Sequence, residues 1–450
     1  MTIRRWASWI PCILALACAS GPQRPERAPD VLLLVVDGLR ADAAPAWIEA
    51  AGLSEWLGGE GVLSYGRAYA PSSLGVQSLA ALLGGRMPTH GGAIGLAEAE
   101  PAAAATTLAT TLRRGGYRTG LVSQAAWAAR PGFARGFDDL QVALASGWSA
   151  QEVAQRALQV VDDWRSAVPA DAPGATPWLL VVHWTPFAID GPMASQVAFE
   201  TVLADAGAGV AALRQGLEER GALSGAVVAL TAGHGFERNE HGGVGAGWTV
   251  HEEAIRVPLV VRGLASAQGV SSDAPISTLA LAASLRELAA SAGQEVAEES
   301  RVAPLPIAGA PEPVAPVISE LVVRERAIAR AVIEGDLKYL RILKEVPPQD
   351  REVVARGYEE LQAAMLSGSI PTPPLFGEPV RELLVRVGPE GVAETELPLA
   401  DHRQELSRLR ALLRDYQRLC EEGGWAPPEI TERLLVDLDD VEQLEILGYM

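Results

Sequence analysis

DVLLLVVDGLRAD, residues Asp30–Asp42, decides how the rest of the chain reads. Val31–Val36 is an unbroken run of Leu and Val between Pro29 and the Asp37-Gly38 step. Its brevity and its flanking proline and glycine predict a strand buried on both faces, with a buried helical segment as the competing reading. Strands of that kind belong to parallel sheets covered by helices on both sides. Chemistry in such sheets gathers at the carboxyl ends of the strands, which singles out Asp37.

The same alternation continues downstream. A short helix is expected over Pro45–Leu57 and an extended segment over Val62–Ala70. PSSLGVQSLAALLGG, Pro71–Gly85, opens with turn formers and becomes helical, with Leu79, Leu82 and Leu83 at helical spacing. Arg86–Gly91 reads as a polar loop, Pro101–Gly115 as a helix and Tyr117–Ser123 as a strand. Ser149–Ser166 and Gln196–Arg220 are expected helices. Trp178–His183 and Gly225–Leu230 are expected strands, the latter running into TAGHG, Thr231–Gly235. Val257–Val261 and a helix over Pro275–Ala290 extend the same body.

Composition shifts at Glu295–Pro316, rich in Pro, Ala and Glu. Beyond it Ile318–Arg324, Ala327–Glu334, Lys338–Leu343 and RELLVRV (Arg381–Val387) read as antiparallel strands. His402–Cys420 reads as a helix with an apolar face on Leu406, Leu409, Leu412, Leu413, Tyr416 and Leu419. The expected fold class is α/β: a large mixed, mostly parallel sheet sandwiched by helices over residues 30–295, then a linker over 296–316. A smaller α+β subdomain over 317–450, an antiparallel sheet with one helix, follows. The chain has no repeats, P-loop, dinucleotide fingerprint or cysteine pairs at zinc spacing.

A formal net charge of −19 argues against nucleic acid as a partner and disfavours a polyanionic polysaccharide. Arg4 and Arg5 precede the apolar Trp6–Ala17, so residues 1–17 read as a signal peptide, too short for a comfortable membrane span. The segment ends in LALAC, which resembles a bacterial lipoprotein cleavage site. Lipidation at Cys18 would make residues 18–29 a tether and give contact with the membrane through a lipid anchor. A plain secreted form and an uncleaved anchor are the other readings. The expected location is the bacterial cell envelope, on the periplasmic or outer-membrane face. With Cys420 the main remaining cysteine, no disulfide framework is implied.

Of six histidines, His90, His234, His241 and His251 fall near glycines or acidic residues in expected loops. A metal or phosphate-type site leaves that mark, and so do polar loop and capping residues. Asp37 and His234 form the best pair, each at or near the end of a buried strand. A hard divalent ion asks for about six oxygens, and Ala232 and Gly233 bring no side-chain oxygen.

These segments, taken in order, resemble the sulfatase branch of the alkaline-phosphatase-like superfamily over nearly the whole mature chain. PDVLLLVVDGLRAD is similar to the family's first strand and metal-binding Asp, and YAPSSLGVQSLAALLGGRMPTHG to its nucleophile loop and helix. GGYRTGLVSQ and the GFARGFDDL that follows resemble the next strand and its glycine loop, and PWLLVVHW resembles the central strand. TAGHGFERNEHG resembles the late Asp-His-Gly-Glu metal motif, and HEEAIRVPLVV, GDLKYLRI and EQLEILGYM resemble later blocks.

The resemblance also implies what is missing. Similar enzymes attack the ester with a formylglycine made from Cys or Ser, or with Thr or Ser, and that position is Gly75 here. The arginine four residues on is Leu79, and the proline of the modification motif is Gln77. Asp37 matches the first metal ligand, but the second Asp is Gly38 and the late Asp is Gly233, which leaves His234 beside it. The substrate-side His falls at Phe187 or Ala188, the basic residue before the Tyr-Glu-Glu block near Gly247 or Trp248, and that block's Tyr is His251. Asp37 and His234 are then vestiges of a metal site, and no catalytic set is intact. Ser72 or Ser73 moving into the nucleophile's place, with His90 or His241 as base, is the alternative to plain turn and cap serines. Arg40 and Arg86 read as salt-bridge partners of the loops.

The function expected is that of an exported sulfatase-like pseudoenzyme that binds a neutral glycan or an envelope protein. Its cleft would be drawn from Ser73, Ser78, His90, His183, Trp184, His241, Trp248 and His251. The alternatives are a metal-dependent sulfuric-ester or phosphoester hydrolase with an atypical site and a purely structural envelope component. No cofactor is expected, and a divalent cation, Ca or Mg, only if the protein is active.

Overall fold

The computed structural model describes residues 28–58, 61–95, 99–103, 105–143, 147–167, 176–187, 196–264, 271–291, 303–306, 316–324, 327–351 and 376–422. The signal, Cys18 and tether assignments, most of the linker, Ala188 and the EQLEILGYM tail lie outside them. No helix among the described residues is long and apolar enough to cross a membrane.

The chain begins with strand β1 (Val31–Val36), every residue of which is fully buried. It is followed by α1 (Ala44–Ala50), α2 (Ser54–Leu57), β2 (Val62–Tyr65), β3 (Ala68–Tyr69), α3 (Gly75–Gly84), α4 (Pro88–Gly91), α5 (Leu108–Arg114) and β4 (Arg118–Ser123). Then come α6 (Pro131–Ala134), β5 (Asp139–Val142), α7 (Ala150–Ser166), β6 (Trp178–Trp184), α8 (Gln196–Glu219), β7 (Val227–Thr231), β8 (Glu237–Arg238) and β9 (Val244–Gly245). Next are α9 (Glu252–Ile255), β10 (Arg256–Val257), β11 (Leu259–Arg262), β12 (Ser271–Ser272), β13 (Ile276–Ser277) and α10 (Leu279–Ser291). The remainder is β14 (Val317–Val323), β15 (Ala327–Glu334), β16 (Leu337–Lys344), β17 (Arg381–Val387), β18 (Glu394–Leu397) and α11 (Arg403–Glu422).

The large sheet has the order β12-β2-β11-β7-β1-β6-β4-β5. Around β1 it is parallel, with Val31 opposite Leu179 of β6 and Val227 of β7, whereas β11 runs antiparallel between β7 and β2. Because strand side chains alternate in direction, β1 feeds two cores. Val31, Leu33 and Val35 pack with side chains of α3, α5 and α10, while Leu32, Leu34 and Val36 pack with those of α1, α2, α7 and α8. Each such Val or Leu contributes about 1.5–3 kcal/mol when buried, so the run that reads as a two-faced strand also binds both helical layers to the sheet.

A five-stranded antiparallel meander, β14 to β18, forms the second sheet. Leu321, Ala331, Leu340 and Leu383 on one face join the core of α3, and Val332, Tyr339 and Leu384 on the other meet Leu406, Leu409 and Leu413 of α11. A large mixed sheet between helices and a small antiparallel sheet with one helix is the architecture expected from the sequence.

Several local expectations need correction. Pro45–Leu57 is two helices, because the chain between them passes through Gly52 at φ 67°. Val62–Ala70 is two strands: β2 stays in the large sheet, while β3 leaves it for a three-stranded sheet with β10 and β13. The helix expected over Pro101–Gly115 begins only at Leu108, where Thr107 caps it by accepting the Thr110 N–H. Arg86–Gly91, expected as a loop, contains α4. Strands β5 and β18 were not anticipated. Leu305, in the expected linker, is buried with its N–H on Ser284 Oγ at 2.8 Å.

Candidate functional site

Three loops meet at the carboxyl ends of β1, β6 and β7. The chain turns out of β1 at Gly38, φ 78°, with the Asp37 N–H on the Trp184 carbonyl (2.9 Å) and the Gly38 N–H on the His234 carbonyl (3.0 Å). This fixes Asp37 between the end of β6 and the loop after β7. Its carboxylate is buried: Oδ1 accepts the Gly233 N–H at 3.0 Å, and Oδ2 lies 3.0 Å from His183 Nε2 and 3.7 Å from His234 Nε2. Burial opposes its charge, but His183, His234 and the Gly233 N–H outweigh burial and hold the Asp37 carboxyl below its ordinary range.

An ionised carboxylate only accepts, so His183 carries a proton on Nε2, and its Nδ1 shares a hydrogen bond with Ser123 Oγ, 2.9 Å away. Ser123 Oγ in turn accepts the Ala125 N–H at 3.0 Å. Serine, histidine and aspartate in series have the form of a hydrolytic triad. Here both Ser123 and His183 have 0% exposure, so no substrate reaches the hydroxyl and the relay braces β4, β6 and β1.

The glycines around Asp37 carry the main observation. A Cβ built on Gly75, first residue of α3, would sit 2.4 Å from Asp37 Oδ2 and 3.3 Å from His234 Cδ2. A Cβ on Gly233 would sit 2.4 Å from Asp37 Oδ1. The carboxylate therefore occupies the room that side chains at these two positions would need. On the far side of the turn, a Cβ on Gly38 would fall 2.3 Å from the Phe187 ring. That ring stacks on Phe199 (centroids 5.1 Å) and tilts against Phe236 (4.6 Å), so three aromatics fill the space beside Gly38. Nothing in the local pattern of the sequence announces this trio, since Phe199 comes from α8.

Other expected site residues are placed as follows. Leu79 lies in the core. Gln77 is buried, with Nε2 donating to the carbonyls of Gly95 (2.9 Å) and Val322 (2.8 Å), and so fastens α3 to β14. Ser78 Oγ donates to the Ser72 carbonyl, and Ser72 Oγ donates to Gln77 Oε1. Ser73 is buried and its Oγ meets no partner. Trp184 is buried, its indole N–H 3.3 Å from the Ala150 carbonyl. Arg40 is buried with its guanidinium on Asp42, Glu240 and the Phe236 carbonyl. His90 is half-buried on α4, and Arg86 is half-buried with its Nε unpartnered.

The structure brings His241 and His251 together in a second constellation. The His241 and His251 rings stack at 3.6 Å and 9°. His241 Nδ1 lies 2.6 Å from Glu253 Oε1, and His251 Nδ1 lies 2.6 Å from Glu394 Oε2. The Glu253 hydrogen bond, acting against partial burial, raises the His241 pKa above its ordinary value. Glu394 Oε1 accepts from Lys338 Nζ (2.8 Å) and the Glu252 N–H (2.9 Å), and Lys338 also reaches Glu252 Oε1 at 3.1 Å. Lys338 is fully buried, yet the two carboxylates keep its pKa above the ordinary value. Trp248 lies under the guanidinium of Arg351, which binds Glu237. Sequence reasoning missed Glu253, Lys338 and Glu394: Glu394 lies on the edge strand β18, where a charge reads as a solvated face, and the burial of Glu253 in α9 and of Lys338 in the central strand β16 depends on long-range packing.

No family model matches the chain, and no curated protein does either. Solved structures do match. A putative sulfatase from Bacteroides fragilis aligns at TM-score 0.57 and 14% identity, over 78% of this chain and 99% of that one. A 2-O GAG sulfatase aligns at TM-score 0.57 and 16% identity, over 76% and 93%. A phosphonate monoester hydrolase from Silicibacter pomeroyi aligns at TM-score 0.52 and 14% identity, over 75% and 95%. These likenesses show that the chain has the fold of bacterial sulfatases.

Proposed function

We propose that this protein keeps the sulfatase fold without ester hydrolysis and acts as a binding protein at the cell envelope. The observation that carries the reading is the Asp37 carboxylate held between Gly75 and Gly233, where a Cβ on either would come within 2.4 Å of it. An attacking group and a second metal carboxylate have no room while Asp37 sits there, and Gly75 offers no atom to attack with. Positive charge for a dianionic transition state is also reduced, with Leu79 buried in the core where the resembling enzymes place an arginine. Losing nucleophile, metal ligand and electrostatic support together removes several kcal/mol of transition-state stabilisation that geometry alone does not restore.

In this reading residues 1–17 direct export, Cys18 carries a lipid, and residues 30–295 and 317–450 form the two units of the mature protein. Solved structures similar to this chain include one in complex with k-i-k-neocarrahexaose and one in complex with its substrate D-glucosamine-2-N,6-O-disulfate. A net charge of −19 favours a neutral glycan or a protein over such anions here. The test is a hydrolysis screen on aryl sulfates and aryl phosphates combined with elemental analysis of the mature protein. The reading expects no turnover above the uncatalysed rate; turnover abolished by Asp37→Ala would overturn it.

A further inference from the structure

We infer that His241, His251 and Glu394 form a site for a borderline divalent transition-metal ion such as zinc, distinct from the vestigial Asp37 position and bridging the two sheets. His241 comes from the turn between β8 and β9, His251 caps the start of α9, and Glu394 opens β18. One donor atom from each lies within 4.8 Å of the others. Glu394 Oε2 is 2.6 Å from His251 Nδ1 and 3.8 Å from His241 Nε2. These spacings fall on either side of the roughly 3.3–3.4 Å between two ligands each about 2.0–2.1 Å from a tetrahedral zinc.

The groups behind these donors are arranged as metal ligands require. Glu253 Oε1 accepts from His241 Nδ1, which fixes the tautomer that leaves Nε2 free to ligate. Lys338 and the Glu252 N–H occupy Glu394 Oε1, and Oε2, which shares a 2.6 Å hydrogen bond with His251 Nδ1, faces the imidazoles and gives up that hydrogen bond when an ion enters. Charge supplies an independent argument. Glu237 has Arg351, Glu252 has Lys338 and Arg256, and Glu394 has Lys338. Glu253 has 0% exposure, its ion-pair partner is His241, and its Oε2 is buried without a hydrogen-bond partner. A buried carboxylate in that state is costly, and a cation on the far side of the His241 ring relieves it.

Two imidazoles and one carboxylate suit zinc rather than calcium, which takes oxygen ligands. Three protein ligands leave the fourth position to solvent on the His241 side, where that side chain is 35% exposed. An ion must lie near the plane of each ligating ring, and parallel rings do not share such a point. Loading therefore turns the exposed His241 ring out of its stack on His251 and releases any proton held there.

The full mature chain, stripped with chelator and titrated with zinc chloride by calorimetry, tests the site. The expected result is one zinc per chain, no comparable calcium binding, and affinity about tenfold or more weaker in both His241→Ala and Glu253→Gln. Asp37→Asn should bind as the parent does. Absence of zinc binding, or binding unchanged in both site variants, overturns the inference. Zinc lost in Asp37→Asn but kept in His241→Ala would place the ion at β1, which refutes this site and counts separately against the loss of the ancestral cleft.

Discussion

Restoring a side chain at Gly75 should destabilise the protein, although an alanine in a helix ordinarily does the opposite. The added Cβ would fall 2.4 Å from Asp37 Oδ2, about 1 Å short of ordinary contact. Asp37 cannot yield freely, since His183 Nε2 at 3.0 Å and the Gly233 N–H at 3.0 Å hold both oxygens. Overpacking of this kind costs about 1–3 kcal/mol, and loosening a buried hydrogen bond to a charged group adds about 1.5–3 kcal/mol. Against this stands a helix-propensity gain of at most about 1 kcal/mol, so Gly75→Ala is expected to lose about 1.5–6 kcal/mol. Gly84, in the same helix, is the internal control: its Cβ would meet only Pro101 Cβ at 4.0 Å. Gly84→Ala should therefore be neutral or stabilising by up to about 1 kcal/mol. Urea midpoints at constant m measure both. Combining Gly75→Ala with Asp37→Ala should recover part of the loss, because the clashing group is gone. A neutral or stabilising Gly75→Ala would show that the carboxylate does not fill the nucleophile's place.

Further outcomes follow from other residues. Lys338→Met leaves Glu252 and Glu394 buried without their shared cation and should cost about 3–5 kcal/mol by denaturant titration; an effect under about 1 kcal/mol would contradict the network. Gln77→Ala removes the side-chain donor to the Gly95 carbonyl and one of two donors to the Val322 carbonyl, which keeps the Gly95 N–H, and should cost about 1–3 kcal/mol, with amide exchange accelerating in both α3 and β14. Burial opposes ionisation of Asp42, but Arg40 and Arg238 hold its carboxyl below the ordinary 3.8. The stability it contributes is complete above pH 3.8 and lost as pH falls through the lower folded value. Asp42→Asn should therefore destabilise at neutral pH, with the difference from the parent shrinking toward strong acid; a difference constant with pH would refute the pairing.

The sequence was most legible where local pattern and tertiary role coincide. Val31–Val36 reads as a two-faced strand because both faces are apolar, and the Ser149–Glu152 capping box marks the start of α7 where it occurs. Element boundaries failed at Gly52 and near Gly66, where a turn inside an apolar stretch leaves the periodicity intact. Strand β5 is half-exposed and β18 is charged at an edge, so neither carries the alternation that marks a buried strand. The resemblance implies what is missing at Gly75, Gly233 and Leu79, but nothing in it reports how the space around them is filled. Phe187 and Phe199 meet across a loop and a helix, and Glu394 reaches His251 across 143 positions of sequence. Pairings of that range depend on the packing of whole sheets, which no spacing in one segment reports.

The central claim is that the Asp37 carboxylate, held by His183 and Gly233, has taken the place of the attacking group. An electron-density map of the mature protein crystallised with calcium tests it most directly. The account predicts Asp37 Oδ2 within hydrogen-bond reach of His183 and no ion beside Gly75. A cation ligated by Asp37 and His234, with another oxygen poised next to Gly75, would contradict it.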